Sequence, residues 1–296
     1  MDRDRNIDDS ELFNVQNTVD NSVVGIDVNV PEIQLANTAW PKDSQITSLS
    51  DIKSLEECIA FRFTNGIRLF RGHESKKYNL ESTIVRLAKS EMPNYSVQDL
   101  LEVELKGYEF FCKNVFREKW LNYKANKTDE TLFKMSIGRH LGLPCRLIDV
   151  TASLEIAIWF AVNNSKYYNE DGEVILLVLD KNNIDVNEIS PFDSNKDSYS
   201  HELFGATDSL CDLPLGERRR FRQNGHFIWT ADNSLLNEQQ AIETISSHIV
   251  RFTIPAHAKQ SLAIELQRDV FIDNTYKSAI EEVTNFMKAE FHAKLN

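Results

Sequence analysis

No stretch of this 296-residue chain is apolar for long enough to cross a bilayer. The longest such runs, 154–162 (interrupted by Glu155) and 174–179, fall far short of the roughly 20 residues a spanning helix needs. The first residues, Met1-Asp-Arg-Asp-Arg-Asn-Ile, are polar and mainly acidic, without the apolar core or small-residue cleavage site of a secretory leader. Cysteine is sparse: Cys58, Cys112, Cys145 and Cys211 contain no C-x-x-C pair, which argues against a disulfide framework and against a zinc site. A cytoplasmic location with reduced thiols and no metal centre is the expectation. Positive charge is in deficit, 33 Lys and Arg against 45 Asp and Glu, and a net charge of -12 disfavours a general nucleic-acid binder. No P-loop, G-x-G-x-x-G, H-E-x-x-H or G-x-S-x-G occurs, so kinase, dehydrogenase and hydrolase readings lose their usual support. Internal repeats and low-complexity tracts are also missing. What remains, 42% hydrophobic and 26% charged residues, is an ordinary globular composition.

Residues 1–45 are rich in Asp, Asn, Ser and Val without a helical period, and read as a flexible acidic arm. A folded body begins near Ile46. Ile52, Leu55, Ile59 and Phe63 recur at helical spacing before Asn65-Gly66, and the two-residue period of 67–71 puts Ile67, Leu69 and Arg71 on one strand face. Ser96 with Asp99 opens a helix expected to run to about 120, and a second helix from about 130 carries His140 on its apolar side and stops at Gly142. An extended piece 145–150 leads into a helix over 152–163, apolar nearly all round and so expected at the centre of the fold. Strands are expected over 174–179, 226–230 and 248–254, with a turn within 231–239. The C-terminal helix aligns Ile280, Val283, Phe286, Met287 and Phe291 on one face.

The densest chemistry lies in Gly138-Arg-His-Leu-Gly-Leu-Pro-Cys-Arg-Leu-Ile-Asp-Val-Thr151, a helix-turn-strand-helix corner. Its structural reading pairs Asp149 with Arg146, makes Thr151 the cap of the following helix and gives His140 a buried hydrogen bond. Its functional reading makes the same groups a ligand site. Phe70-Arg71-Gly72 sets an arginine, suited to a bidentate grip on phosphate or carboxylate, beside a glycine that admits close approach of a chain segment or a ligand. Arg218, Arg219, Arg220 and Arg222 form a local positive spot that is either a phosphate or nucleic-acid contact or a solvated strand edge, with Gln223 and Gly225 beside it. His73-Glu74 and His201-Glu202 lack partners at metal-ligand spacing and read as surface pairs.

In order, Phe70-Arg71-Gly72, the segment from Gly142 through Arg146 and Asp149 to Thr151, Ala157-Ile-Trp-Phe160-Ala, and Arg220-Phe-Arg-Gln223-Asn-Gly225 resemble the FRG-domain family over about residues 65–230, with a weaker echo at 270–277. The family pattern usually has Gln before the histidine, Thr after the proline and Trp before the last threonine; here Arg139, Cys145 and Val150 stand there. Its motif order looks like that of ADP-ribosyltransferases, and the family is known largely from bacterial and phage-associated proteins. The resemblance therefore implies NAD as substrate and a role in conflict with phage. Arg71, Gly72 and Arg146 would hold the dinucleotide, His140 and Thr151 would orient the ribose, and Asp149 or Gln223 would act at the anomeric carbon. The alternative is a non-catalytic sensor or adaptor that binds a nucleotide or peptide in the same pocket and meets a protein partner through the acidic arm or the C-terminal helix. The expected architecture is one α+β domain over 46–296, a mixed sheet flanked by helices with an ADP-ribosyltransferase-like core. Its motif core would cover 65–230 and its C-terminal strand and helix 248–296.

Overall fold

The structure is a computed structural model, and it describes residues 45–123, 129–180, 192, 202–204, 224–229, 232, 235–266 and 277–295. The expected acidic arm, apart from Gln45, lies outside the described residues, as do Gln223, the four arginines 218, 219, 220 and 222, and, apart from Lys277, the echo at 270–277. Among the described residues no helix is long and apolar enough to cross a membrane.

Helix α1 (Leu49–Arg62) is started by a reciprocal cap in which Ser48 and Asp51 satisfy each other's backbone N–H groups. Strand β1 (Gly66–His73) follows, then helices α2 (Thr83–Glu91), α3 (Val97–Asn114) and α4 (Glu130–Leu141). Ser96 and Asp99 form the expected capping box of α3, but that helix stops at Asn114 instead of running to 120, and a 3₁₀ turn over Glu118–Tyr123 buries Trp120. Helix α4 ends at Gly142, whose φ of 111° is open to glycine at little steric cost. Strand β2 (Leu147–Thr151), helix α5 (Leu154–Val162), strands β3 (Gly172–Asp180), β4 (Glu202–Phe204) and β5 (Gly225–Trp229), helix α6 (Glu238–Ile245), strand β6 (Ser246–Ile254), and helices α7 (Ala256–Glu265) and α8 (Lys277–Ala293) complete the order.

The strands form one sheet in the order β4-β5-β2-β1-β3-β6. Every ladder within it is antiparallel, which corrects the expected mixed sheet; the parallel contact between Gln45 and Thr253 is an isolated bridge. The cause is the placement of α2, α3 and α4, which do not carry the chain back across a sheet face as a parallel crossover requires. Instead they pack with α8 in a cluster of their own, around Phe111, Phe133, Ile137, Val283, Met287 and Phe291. The apolar stripe of α8 is spent in that cluster.

Both sheet faces are covered. Phe70, Val174, Leu176, Val178 and Phe252 pack against α1, α5 and α7, while Leu69, Ile148, Val150, Ile175, Leu177 and Ile228 pack with Leu80 and Ile242 on the other side. The unbroken apolar run of β3 follows from this double burial. Strands β1 and β3 share eight registered pairs, from Gly66 with Asp180 to His73 with Glu173, but β1 and β2 share one, Phe70 with Thr151. The chains are thus unzipped in the middle of the sheet.

Candidate functional site

A cleft of about 530 Å³ lies where β1 and β2 stop pairing. Strand β1 lines it from Phe70 through His73, with Glu74 and Tyr78 beyond; Arg86 comes from α2, Arg139, His140 and Gly142 from the end of α4, Asp149 to Thr151 from β2, Phe160 from α5, and Gly225 and His226 from β5. Arg71 spans the gap between the strands. One of its terminal nitrogens donates to the Asp149 carbonyl oxygen at 2.8 Å and approaches the Asp149 carboxylate at 3.5 Å. The guanidinium therefore satisfies a backbone acceptor that the missing β1–β2 ladder leaves open.

Arg139 donates to the same Asp149 carboxylate, so two guanidinium groups hold one acid. Burial pushes the Arg71 pKa down to about 10; Asp149 pulls it up, and Arg139 and Arg86 push it further down. Arginines outnumber carboxylates on the lining: Arg71, Arg86 and Arg139 face Glu74 and Asp149. The Nε atoms of Arg71 and Arg139 are buried without a hydrogen-bond partner among the described residues. In a chain of net charge -12 this is a local surplus of positive charge with donors to spare.

The sequence-derived candidates separate into groups. Arg71, Gly72, His140, Asp149 and Thr151 do line the cleft, Gln223 lies outside the described residues, and Arg146 lies elsewhere. Arg146 is fully buried. Its backbone N–H and Nε donate to Glu104 at 2.7 and 2.6 Å, one terminal nitrogen donates to Asp232, and its guanidinium stands 4.2 Å over the Trp229 ring. This network replaces the expected pair with Asp149 and removes Arg146 from the dinucleotide-holding set.

Thr151 is not the cap of α5: Ser153 accepts from the Ile156 N–H, and the Thr151 hydroxyl instead accepts from the Ser153 N–H at 3.0 Å. At Gly72 the close approach is by protein. A Cβ there would lie 1.9 Å from the Ala157 carbonyl oxygen of α5. The His140 ring packs on Phe227 with centroids 4.8 Å apart.

Several lining residues were not singled out by the sequence. Arg86 sits on α2, a helix whose Ser82 cap and apolar Ile84, Val85 and Ala88 are legible in retrospect. His73, read as a surface residue, is buried, and its Nδ1 lies 3.0 Å from Glu173 Oε1. The signal was strand parity, since His73 continues the face of Leu69 and Arg71. Tyr78 stands edge-on to Tyr167, and its phenol is pushed up to about 12, first by burial and then by its hydrogen bond with Tyr167. Among the described residues no cluster of three or more His, Cys, Asp or Glu is placed to hold a metal.

Comparison with known proteins gives one match. The family model of the FRG domain aligns with residues 67–170. No curated protein and no solved structure matches the chain. The aligned segment contains Phe70-Arg71-Gly72, Arg86, Arg139, His140, Asp149, Thr151 and Phe160, most of the cleft, and residues 67–170 thus match the FRG-domain family.

Proposed function

We propose that the cleft binds a phosphate-bearing nucleotide of the NAD class and that the protein uses it as an ADP-ribosyl donor. The observation that carries the reading is the set of three arginines on the lining, two with a buried Nε–H in need of an acceptor. Guanidinium groups match phosphate oxygens in charge and in fork geometry. The cleft volume of about 530 Å³ falls within the range of small-molecule sites. Tyr78 and Phe160 line the same cleft and would offer ring faces to a base, and His140 and Thr151, also on the lining, would orient the ribose. Cleavage of the nicotinamide bond passes through a cationic sugar, so such a site needs an anchored diphosphate and a carboxylate released near the anomeric carbon. Phosphate oxygens that engage Arg71 and Arg139 would free Asp149 for that task. The setting implied by the family, a cytoplasmic bacterial defence against phage, belongs to the same proposal.

A second reading, a nucleotide sensor without turnover, is favoured by one observation: both arginines hold the Asp149 carboxylate, so its charge is already compensated. Calorimetry with NAD and an assay of nicotinamide release separate the readings. Binding is expected to weaken by about 10- to 100-fold in Arg71→Ala, the worth of a charged hydrogen bond. Asp149→Asn is expected to keep affinity and lose release. An unaltered protein that binds NAD without releasing nicotinamide is a sensor, and one that does not bind NAD overturns the proposal.

A further inference from the structure

His73, Glu173 and Arg251 form a chain of polar groups across three adjacent strands, the first two buried and Arg251 exposed at its outer end, and neither the sequence motifs nor the phosphate-binding reading uses it. His73 is the last residue of β1, two positions after Arg71, so alternation brings both side chains to the same cleft. Glu173 is its direct cross-strand partner on β3. Both are nearly inaccessible, at 4% and 5% exposure, where a sheet interior ordinarily holds apolar pairs. Arg251, from β6, donates to both Glu173 oxygens at 3.0 Å. A carboxylate fixed in this way only accepts, so the proton on the imidazole sits on Nδ1, facing Glu173 Oε1 at 3.0 Å. Nε2 then carries the lone pair, and it is the ring nitrogen left to a molecule in the cleft.

Among the described residues the other acids on the lining have other partners, and in the NAD reading Asp149, once released, serves the cationic sugar rather than the acceptor. Asp149 is held by Arg71 and Arg139, and Glu74 accepts from the Asn164 side chain at 3.0 Å. We propose that His73 is the catalytic base of the cleft, taking the proton of an acceptor hydroxyl or water through Nε2, with Glu173 and Arg251 as positioning residues. The proposal rests on the reading of the cleft as an NAD site. In the step it describes, the acceptor oxygen forms a bond to the ribose C1′ as its proton moves to Nε2. The C1′–N bond breaks, its electron pair leaves with nicotinamide, which departs neutral, and the imidazolium then returns its proton to water. Burial holds the His73 pKa below its ordinary 6.5; Glu173 raises it, and Arg71 and Arg86 lower it. The ring is therefore neutral and basic at pH 7. The groups that set this balance are Glu173 on β3 with Arg251 behind it on β6, Arg71 on β1, Arg86 on α2, and the Tyr78 ring edge-on at 6.2 Å.

The test measures NAD affinity by calorimetry and nicotinamide release between pH 5 and 9 for the full chain, His73→Gln and Glu173→Gln. In His73→Gln the kcat is expected to fall by about 100- to 10,000-fold, the usual worth of a general base, while NAD affinity holds and the acid limb of the pH profile disappears. Glu173→Gln is expected to lower kcat less and to move the acid limb to lower pH, and Glu173→Asp to recover part of both. A His73→Gln protein with unchanged kcat and acid limb overturns the proposal. NAD binding without release by the unaltered protein overturns the base while the nucleotide site stands, and no NAD binding overturns both. Ring ¹⁵N shifts of the unaltered protein need no variant: Nδ1 protonated and Nε2 bare at neutral pH is expected, and the reverse tautomer overturns the assignment.

Discussion

Gly72→Ala isolates the contact on which the cleft floor rests. The added methyl carbon would lie 1.9 Å from the Ala157 carbonyl oxygen, 2.8 Å from its carbon and 3.1 Å from the Ala161 nitrogen, where ordinary contact begins near 3.4 Å. All three atoms are helix backbone, so no rotamer change relieves the clash and α5 must withdraw from β1. That helix is buried against Phe70, Val174 and Leu176 on one side and α1 on the other, so its withdrawal opens packed apolar surface. Overpacking against movable side chains costs about 1–3 kcal/mol. Against backbone the upper end applies, and about 3 kcal/mol lowers the melting temperature of a domain of this size by roughly 6–12 °C. Thermal unfolding followed by circular dichroism reads the shift directly. Pairing the variant with Ala157→Gly sharpens the test, because deleting the neighbouring methyl leaves the obstructing carbonyl in place and no rescue is expected. A melting temperature within about 1 °C of the unaltered protein, or full rescue by Ala157→Gly, would refute the argument.

Two further perturbations address the buried charges. Glu104→Gln removes the buried carboxylate that holds the Arg146 guanidinium, and breaking a buried pair of this kind costs about 3–5 kcal/mol. Urea unfolding should show that loss and a substantial recovery in Glu104→Gln with Arg146→Met; a loss below about 1 kcal/mol would mean the pair is not desolvated. For His73 the folded pKa lies below the ordinary 6.5 of an unfolded chain, so the unfolded state binds the proton more readily. Its contribution is present above pH 6.5 and lost as pH falls below that value. Glu173 adds a second loss below about 4.5, because hydrogen bonds from His73 and Arg251 outweigh the burial that opposes its charge and hold its pKa under the ordinary value. Unfolding free energy measured from pH 8 to 4 should decline in these two stages, and His73→Gln should flatten the first.

Much of the architecture was legible because local chemistry and tertiary placement agree. The Ser96-Asp99 cap, the Gly142 stop, the all-round apolar α5 and the stripe of α8 each carry a pattern that burial then satisfies. Helices α6 and α7 were missed where it does not. α6 begins at Glu238, inside a polar stretch that reads as a turn, and its cap Asn237 is equally a turn residue. α7 starts after Pro255 with no side-chain cap and a mixed surface, Lys259 among its buried positions, where its ammonium donates to the Glu74 and Tyr167 carbonyls. Sheet direction was out of reach for a different reason, since nothing in a strand's own pattern records whether the helices after it cover the sheet or form a separate cluster.

The exchange of Arg146 for Arg139 shows where the sequence pattern is not enough to choose a partner. Both flank the turn at Gly142, and both are within reach of Asp149 along the chain. Arg146, however, lies at a bend before β2 begins at Leu147, where strand alternation does not fix the direction of its side chain. Asp149 and Thr151 share one face and line the cleft, and Arg146 goes to Glu104, Asp232 and the ring of Trp229, the cross-strand partner of Leu147 on that same face. The buried Glu104 carboxylate, not parity, takes Arg146 from Asp149. Nor does the strand pattern select Arg139, which approaches from the last turn of α4, because the angle at which that helix meets β2 is set by the α-helical cluster behind it. The cleft is thus assembled from two kinds of information. The parting of β1 and β2 opens Arg71, His73, Asp149 and Thr151 to the cleft, and helix packing brings Arg86 and Arg139 to meet them, so a change in the core around Phe133 and Ile137 should alter anion affinity without touching a lining residue.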